Sequence, residues 1–178
     1  MNSKQETIWA LFPELKLVKD QELAQKAVDM WVYFWERSSW EDVTQAPFSY
    51  EGTYLKLVQH TQSTVKGAVA LAQILKEVQK VEIDDDLLIL MSVLHDVSKL
   101  VEYCGLDENN CAYKGDEGKL YQHGFLGACR AREVGMPNEL VSAILCHTPQ
   151  TNVKFHRVEA LIMQCADHAS AHSANGKY

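Results

Sequence analysis

The sequence predicts an all-α fold. Apolar residues recur at the three- and four-residue spacing of helices along most of the chain, and no run alternates apolar and polar β-branched residues as a half-buried strand would. A length of 178 residues fits one compact domain able to bury a sizeable core. Hydrophobic residues at 47% and charged residues at 23% match ordinary globular usage and exclude disordered or fibrous classes.

The elements follow in order. After a short helical start, Asp20 stands as an N-cap before QELAQKAVDMWVYFWERSSW, where Leu23, Ala27, Met30, Trp31 and Phe34 recur on one helical stripe. Trp31, Tyr33, Phe34, Trp35 and Trp40 crowd this region, an aromatic grouping that suits core or dimer contact better than substrate stacking. Pro47 and Gly52 mark a connection. Thr61 or Ser63 then caps the helix VKGAVALAQILKEVQK, with His60 at its entry. Asp84, Asp85 and Asp86 suit the positive end of the next helix dipole, and that strongly apolar helix closes with His95 and Asp96.

The stretch CGLDENNCAYKGDEGKLYQ at 104–122 is dense in Gly, Asn and Asp and reads as a loop or lid, in which Tyr113 and Lys114 could touch substrate. Three more helices are expected at 123–135, 138–146 and 158–171. Gly135 ends the first of them and Pro137 starts the second. Neither an internal repeat nor a second-domain linker is visible.

A formal net charge of −7 argues against a polymeric nucleic-acid partner, which selects clustered Lys and Arg. A small phosphorylated substrate stays compatible, because bound metal ions can supply the positive potential. The N-terminus MNSKQETIWALFPELK has no signal-peptide pattern, and no stretch approaches the ~18 apolar residues of a membrane span, so a cytoplasmic protein is expected. The five cysteines are odd in number and form no CxxC pair, which favours reduced, mostly buried thiols over a disulfide framework or a structural zinc site.

His95 and Asp96 are the first anomaly. An adjacent imidazole and carboxylate ending an apolar helix would be costly to bury without partners. His60 precedes one helix, His123 begins another, His147 ends a third, and Asp167 lies inside the apolar run ALIMQCAD. Convergence on one metal site would satisfy all of them together, since imidazole and carboxylate are favoured ligands of iron, manganese and zinc.

In this respect the sequence resembles the HD superfamily, whose pattern is a His, a later His-Asp pair and a final Asp on successive helices. Here the pattern reads His60, then HDVSK at 95–99, then Asp167 in CADHAS. The resemblance implies an HD-domain helical bundle over 51–178, with residues 1–50 as a helical extension packed on the same domain. His123 in HGFLGACRA and His147 in AILCHT are similar to the two extra ligands of two-metal branches of the superfamily. The span from His123 to Asp167 resembles the symmetrical dinucleoside tetraphosphate hydrolase branch, whereas the GYP portion and the paired His-His of the HD-GYP phosphodiesterases are missing. Gly124, Gly127 and Ala128 would let neighbouring helices approach closely beside the metals.

What the resemblance implies is a metal-dependent phosphohydrolase acting on a nucleotide or small phosphorylated metabolite. The metal ligands would be His60, His95, Asp96, His123, His147 and Asp167, with Asp96 shared between two divalent ions. Iron or manganese is the expected metal; zinc, nickel, cobalt and magnesium are compatible. Two such ions clamp a phosphoryl group and make hydroxide available near neutral pH. Asp96 and Lys99 are the expected catalytic residues. Lys99, one helical turn beyond Asp96, together with Arg130 and Lys154, and more weakly Arg157, would meet substrate anions.

Two other readings stay open. Myo-inositol oxygenase and a phosphonate-cleaving oxygenase are similar in having the same six-ligand scheme with an HDxxK lysine, so a di-iron oxygenase is the enzymatic alternative. Tyr50, Glu51 and Tyr54 stand before His60 somewhat as in the phosphonate enzyme, at a different spacing. A noncatalytic sensor domain is the third reading. The aromatic residues of the extension could support a homodimer.

Overall fold

The computed structural model describes residues 2–50, 55–148, 151 and 155–175. Helix α1 (Ser3–Leu11) opens with a reciprocal cap. The Asn2 side chain accepts from the Gln5 backbone N–H, and the Gln5 side chain accepts from the Asn2 N–H, both at 2.9 Å. A tight turn at Pro13–Leu17 leads to α2 (Gln21–Arg37), whose first N–H groups donate to the Asp20 side chain, as expected of that residue.

Helix α3 (Leu57–Ile74) begins earlier than the sequence suggests. Thr61 and Ser63 lie inside it, and the start is set by Gln59, whose side chain accepts from the Lys56 N–H at 3.1 Å. His60 therefore sits in the first turn of the helix and not ahead of it. Beyond a wider turn at Leu75–Gln79, Lys80 takes a left-handed conformation with φ 56° and releases the chain.

Helix α4 (Asp85–Leu94) starts at Asp84, whose side chain accepts from the Leu87 N–H at 3.1 Å. Every residue from Leu87 to Leu94 is buried, because α4 touches α2, α3, α8 (Asn138–Cys146) and α9 (Val158–Asn175). An apolar helix enclosed on all sides carries its C-terminal residues, His95 and Asp96, to the centre of the molecule. One continuous core runs from Ile8, Phe12, Leu15 and Trp31 through Leu88 and Leu94 to Ile144 and Met163. Trp31 is fully buried and its indole N–H donates to the Val93 carbonyl at 3.0 Å, which places the aromatic cluster of α2 mainly in the core.

The stretch expected as a loop contains more order than its composition implies. Short helix α5 (Lys99–Glu102) is followed by β1 (Tyr103–Leu106) and β2 (Ala112–Lys114), an antiparallel hairpin with an irregularity between Tyr103 and Gly105. Its turn is built by the Asp107 side chain, which accepts from Asn109 and Cys111, and by Asn110 at φ 59°. The one-turn helix α6 (Asp116–Leu120) then leads to α7 (His123–Glu133). The fold is thus all-α apart from this hairpin.

Gly135 ends α7 at φ +73°, the left-handed position its identity suggested. The cysteines differ from expectation: Cys146 is buried, whereas Cys129 and Cys165 lie on outer helix faces. Among the described residues no helix is long and apolar enough to cross a membrane.

Candidate metal centre

Five elements deliver six side chains to one place. His60 comes from the first turn of α3, His95 and Asp96 from the end of α4, His123 from the start of α7, His147 from the end of α8, and Asp167 from the middle of α9. Helices α3 and α9 pack so closely that a β-carbon on Gly67 would lie 3.3 Å from Ala166 Cβ, which brings Asp167 beside His60. Likewise a β-carbon on Gly124 would lie 3.0 Å from the Ile144 carbonyl, so α7 can sit directly on α8 and set His123 against His147.

Two clusters of donors result. His60, His95 and Asp167 form one, and Asp96, His123 and His147 the other; in each, the ligating atoms lie within 4.8 Å of one another. Asp96 faces both. Its Oδ2 is 3.4 Å from His60 Nε2 and 3.4 Å from His95 Nε2, and its Oδ1 is 3.1 Å from His123 Nε2 and 3.2 Å from His147 Nε2. Asp167 Oδ1 closes the first cluster at 3.1 Å from His60 Nε2.

The ring nitrogens test whether a cation fits. His95 Nδ1 faces the Ser92 carbonyl, His147 Nδ1 the Ile144 carbonyl and His123 Nδ1 the Glu102 carboxylate, all partners that accept only. Each of these rings therefore keeps its proton on Nδ1 and, when neutral, turns the Nε2 lone pair inward. His60 and His95 Nε2 are 3.2 Å apart, and His123 and His147 Nε2 are 3.3 Å apart. Lone pairs this close repel unless a proton or a metal ion lies between them, and carboxylates on the same space favour the ion. The donor set fits divalent cations.

The electrostatics agree. Burial alone would raise the Asp96 pKa, but the Lys99 ammonium and the His95 and His123 rings outweigh it and hold the carboxyl well below its usual range. Asp167 is likewise lowered, burial being overcome by the His60 bond and the His95 charge. Burial pushes His147 down, whereas for His95 the Asp96 charge overcomes burial and raises it.

Lys99 Nζ lies 2.9 Å from Asp96 Oδ2, and the residue is only 8% exposed. Arg130 is stacked 4.1 Å above the Tyr33 ring and paired with Glu133, and Arg157 is engaged with Glu159. Lys154, Glu51 and Tyr54 lie outside the described residues. His168, next to Asp167 in sequence, is exposed and contacts His172; Ser170 meets His60 Nδ1 at 3.0 Å.

The sequence reading passed over Phe48 and Glu102. The Phe48 ring stacks on His60, and Lys99 Nζ lies 4.0 Å from its centroid. Glu102 had a legible signal, a carboxylate inside KLVEY of the same kind that drew attention to Asp167. Phe48, in an irregular segment, had none.

A profile of the HD domain matches residues 57–172. Among curated proteins, the dihydroneopterin 2',3'-cyclic phosphate phosphodiesterase of Methanocaldococcus jannaschii is 28% identical over 138 residues, covering 72% of this chain and 53% of that protein. The chain thus spans about half the length of the curated relative it matches. No solved structure matches.

Proposed function

The chain belongs to the HD-domain family, and from that membership we propose that it is a metal-dependent phosphohydrolase acting on a phosphate ester or anhydride of a nucleotide or small phosphorylated metabolite. The observation that carries the reading is the divided Asp96 carboxylate, with one oxygen on each cluster of donors. In this reading one divalent ion is held by His60, His95, Asp96 and Asp167, and a second by Asp96, His123 and His147. The curated relative's action on a cyclic phosphate diester supports phosphoester hydrolysis over oxygenation.

When bound, such ions supply Lewis acidity to a phosphoryl oxygen and lower the pKa of water near neutral pH. The chain's own residues do the rest. Asp96, kept ionised by Lys99 and the surrounding rings, serves both positions with one side chain. The Lys99 ammonium, held between Asp96 and the Phe48 ring, is a fixed positive charge for a phosphoryl oxygen and needs little reorganisation to act. Iron or manganese, a cytoplasmic location and a homodimer belong to the same proposal.

Elemental analysis of anaerobically purified protein, with ester cleavage (phosphate from monoesters, alcohol and monoester from diesters) and oxygen uptake followed over a panel of phosphate mono- and diesters, tests this reading. We expect two metals per chain and phosphate-ester cleavage that Asp96→Asn abolishes. Substrate-dependent oxygen uptake with two irons would replace the hydrolase by an oxygenase. A single metal, insensitive to change at His123, would remove the second site.

A further inference from the structure

Glu102 stands outside the candidate ligand set, yet it is 4% exposed and both of its carboxylate oxygens are engaged. Oε2 accepts from His123 Nδ1 at 2.9 Å, and Oε1 meets Lys114 Nζ of β2 at 2.6 Å. Its backbone is fixed as well: its carbonyl accepts the Gly115 N–H at 3.1 Å, and Gly118 packs over that carbonyl so tightly that a β-carbon would overlap it.

None of the other three imidazoles has such a partner. His95 and His147 donate to neutral backbone carbonyls, and His60 meets a serine hydroxyl. A carboxylate draws the Nδ1 proton more strongly than a carbonyl does and so enriches the electron density on Nε2. His123 is also the most open of the four rings, its side chain 17% exposed against 4% for His147, so it is the one that most needs a restraint from behind.

We propose that Glu102 is a positioning residue for the second metal site, fixing the His123 ring and raising its basicity so that the Asp96, His123 and His147 pocket holds its ion. Lys114 anchors the Glu102 carboxylate from the hairpin. The two pockets are therefore unequal: the first relies on an extra carboxylate ligand, Asp167, and the second on a carboxylate behind its histidine. The inference rests on the two-ion reading above.

The test is titration of the metal-free full chain with Co²⁺, followed by calorimetry and by the visible absorption of the bound ion. In wild type we expect two equivalents. In Glu102→Gln, which keeps the shape and loses the charge, the first equivalent should bind as in wild type. The second should weaken about 10- to 100-fold with a changed absorption band. His123→Ala marks the second equivalent by losing it. Lys114→Met, which frees the Glu102 carboxylate from the hairpin, should weaken the second equivalent and leave the first as in wild type, and an effect confined to the first would overturn the anchoring role. An unchanged second equivalent in Glu102→Gln, with His123→Ala losing it, overturns the inference and leaves the two-ion reading standing. Equal weakening of both equivalents also overturns it, since Glu102 would then serve the whole centre and not one pocket. A wild type that takes one equivalent, indifferent to His123→Ala, overturns both.

Discussion

The ring of Phe48 lies face to face with the imidazole of His60, 3.9 Å between centroids and 30° between planes. Phe48 precedes the region matched by the HD-domain profile, so a residue from outside the family core forms a wall of its central site. Its segment is pinned there because the Phe48 N–H donates to the Leu55 carbonyl and the Leu57 N–H to the Ala46 carbonyl.

The same ring underlies Lys99, and the attraction between an ammonium and an aromatic face is worth about 0.5–2 kcal/mol. Phe48→Leu keeps an apolar wall and removes the face. If that attraction is used at the transition state, kcat/KM for the proposed phosphate-ester hydrolysis should fall about 2- to 30-fold while metal content stays at the wild-type value. Steady-state kinetics beside elemental analysis read this out, and an unchanged rate would show that Asp96 alone holds the ammonium.

Removing metal should cost stability. With both pockets empty, inward-facing histidine nitrogens and two carboxylates share one buried space. A ligand at about 100 times its Kd stabilises a fold by about 2.7 kcal/mol. Chelator should therefore lower the melting temperature, and Mn²⁺ or Fe²⁺ should restore it. Asp96→Asn should make the melt insensitive to both treatments.

Gly127 is a packing position. A β-carbon there would lie 3.0 Å from Ile144 Cγ2 and 3.3 Å from Ser98 Oγ, and Ser98 Oγ itself donates to the His123 carbonyl. Gly127→Ala should destabilise by about 1–3 kcal/mol, the usual cost of overpacking, despite the better helix propensity of Ala. Chemical denaturation checks the value; a stabilised variant would mean that α7 moves freely on α8.

Tyr103 gives the pH prediction. Burial, with the Glu102 and Asp96 charges, raises its pKa above the ordinary value of 10.0, against a lowering contribution from the Tyr50 backbone N–H. The unfolded chain then releases the Tyr103 proton before the folded chain does. The stability this supplies is complete below pH ~10 and is lost as pH rises toward the folded value. The melting temperature should drop above pH ~10, and less steeply in Tyr103→Phe.

Much of the centre was legible because His95, Asp96 and Asp167 are polar residues where helical periodicity demands apolar ones. The hairpin was not, because Gly105, Asp107 and Asn110 signal turns in any context and its pairing depends on contacts distant in sequence. Those contacts include Trp40, whose indole N–H donates to the Tyr103 carbonyl, and Tyr50, whose carbonyl accepts from Ala112. The start of α3 was misread because Thr61 and Ser63 have the chemistry of caps, while the cap that forms uses the Gln59 side chain against the Lys56 N–H.

The enclosure of α4 bears on how long the centre lasts. Amides such as that of His95, bonded to the Met91 carbonyl at 2.9 Å within a segment buried on every side, can meet solvent only when the whole core opens. Their hydrogen exchange should be among the slowest in the chain, at a rate set by global unfolding. The ion-binding end of α4 would then have no separate melting of its own, and its lifetime would be that of the native state.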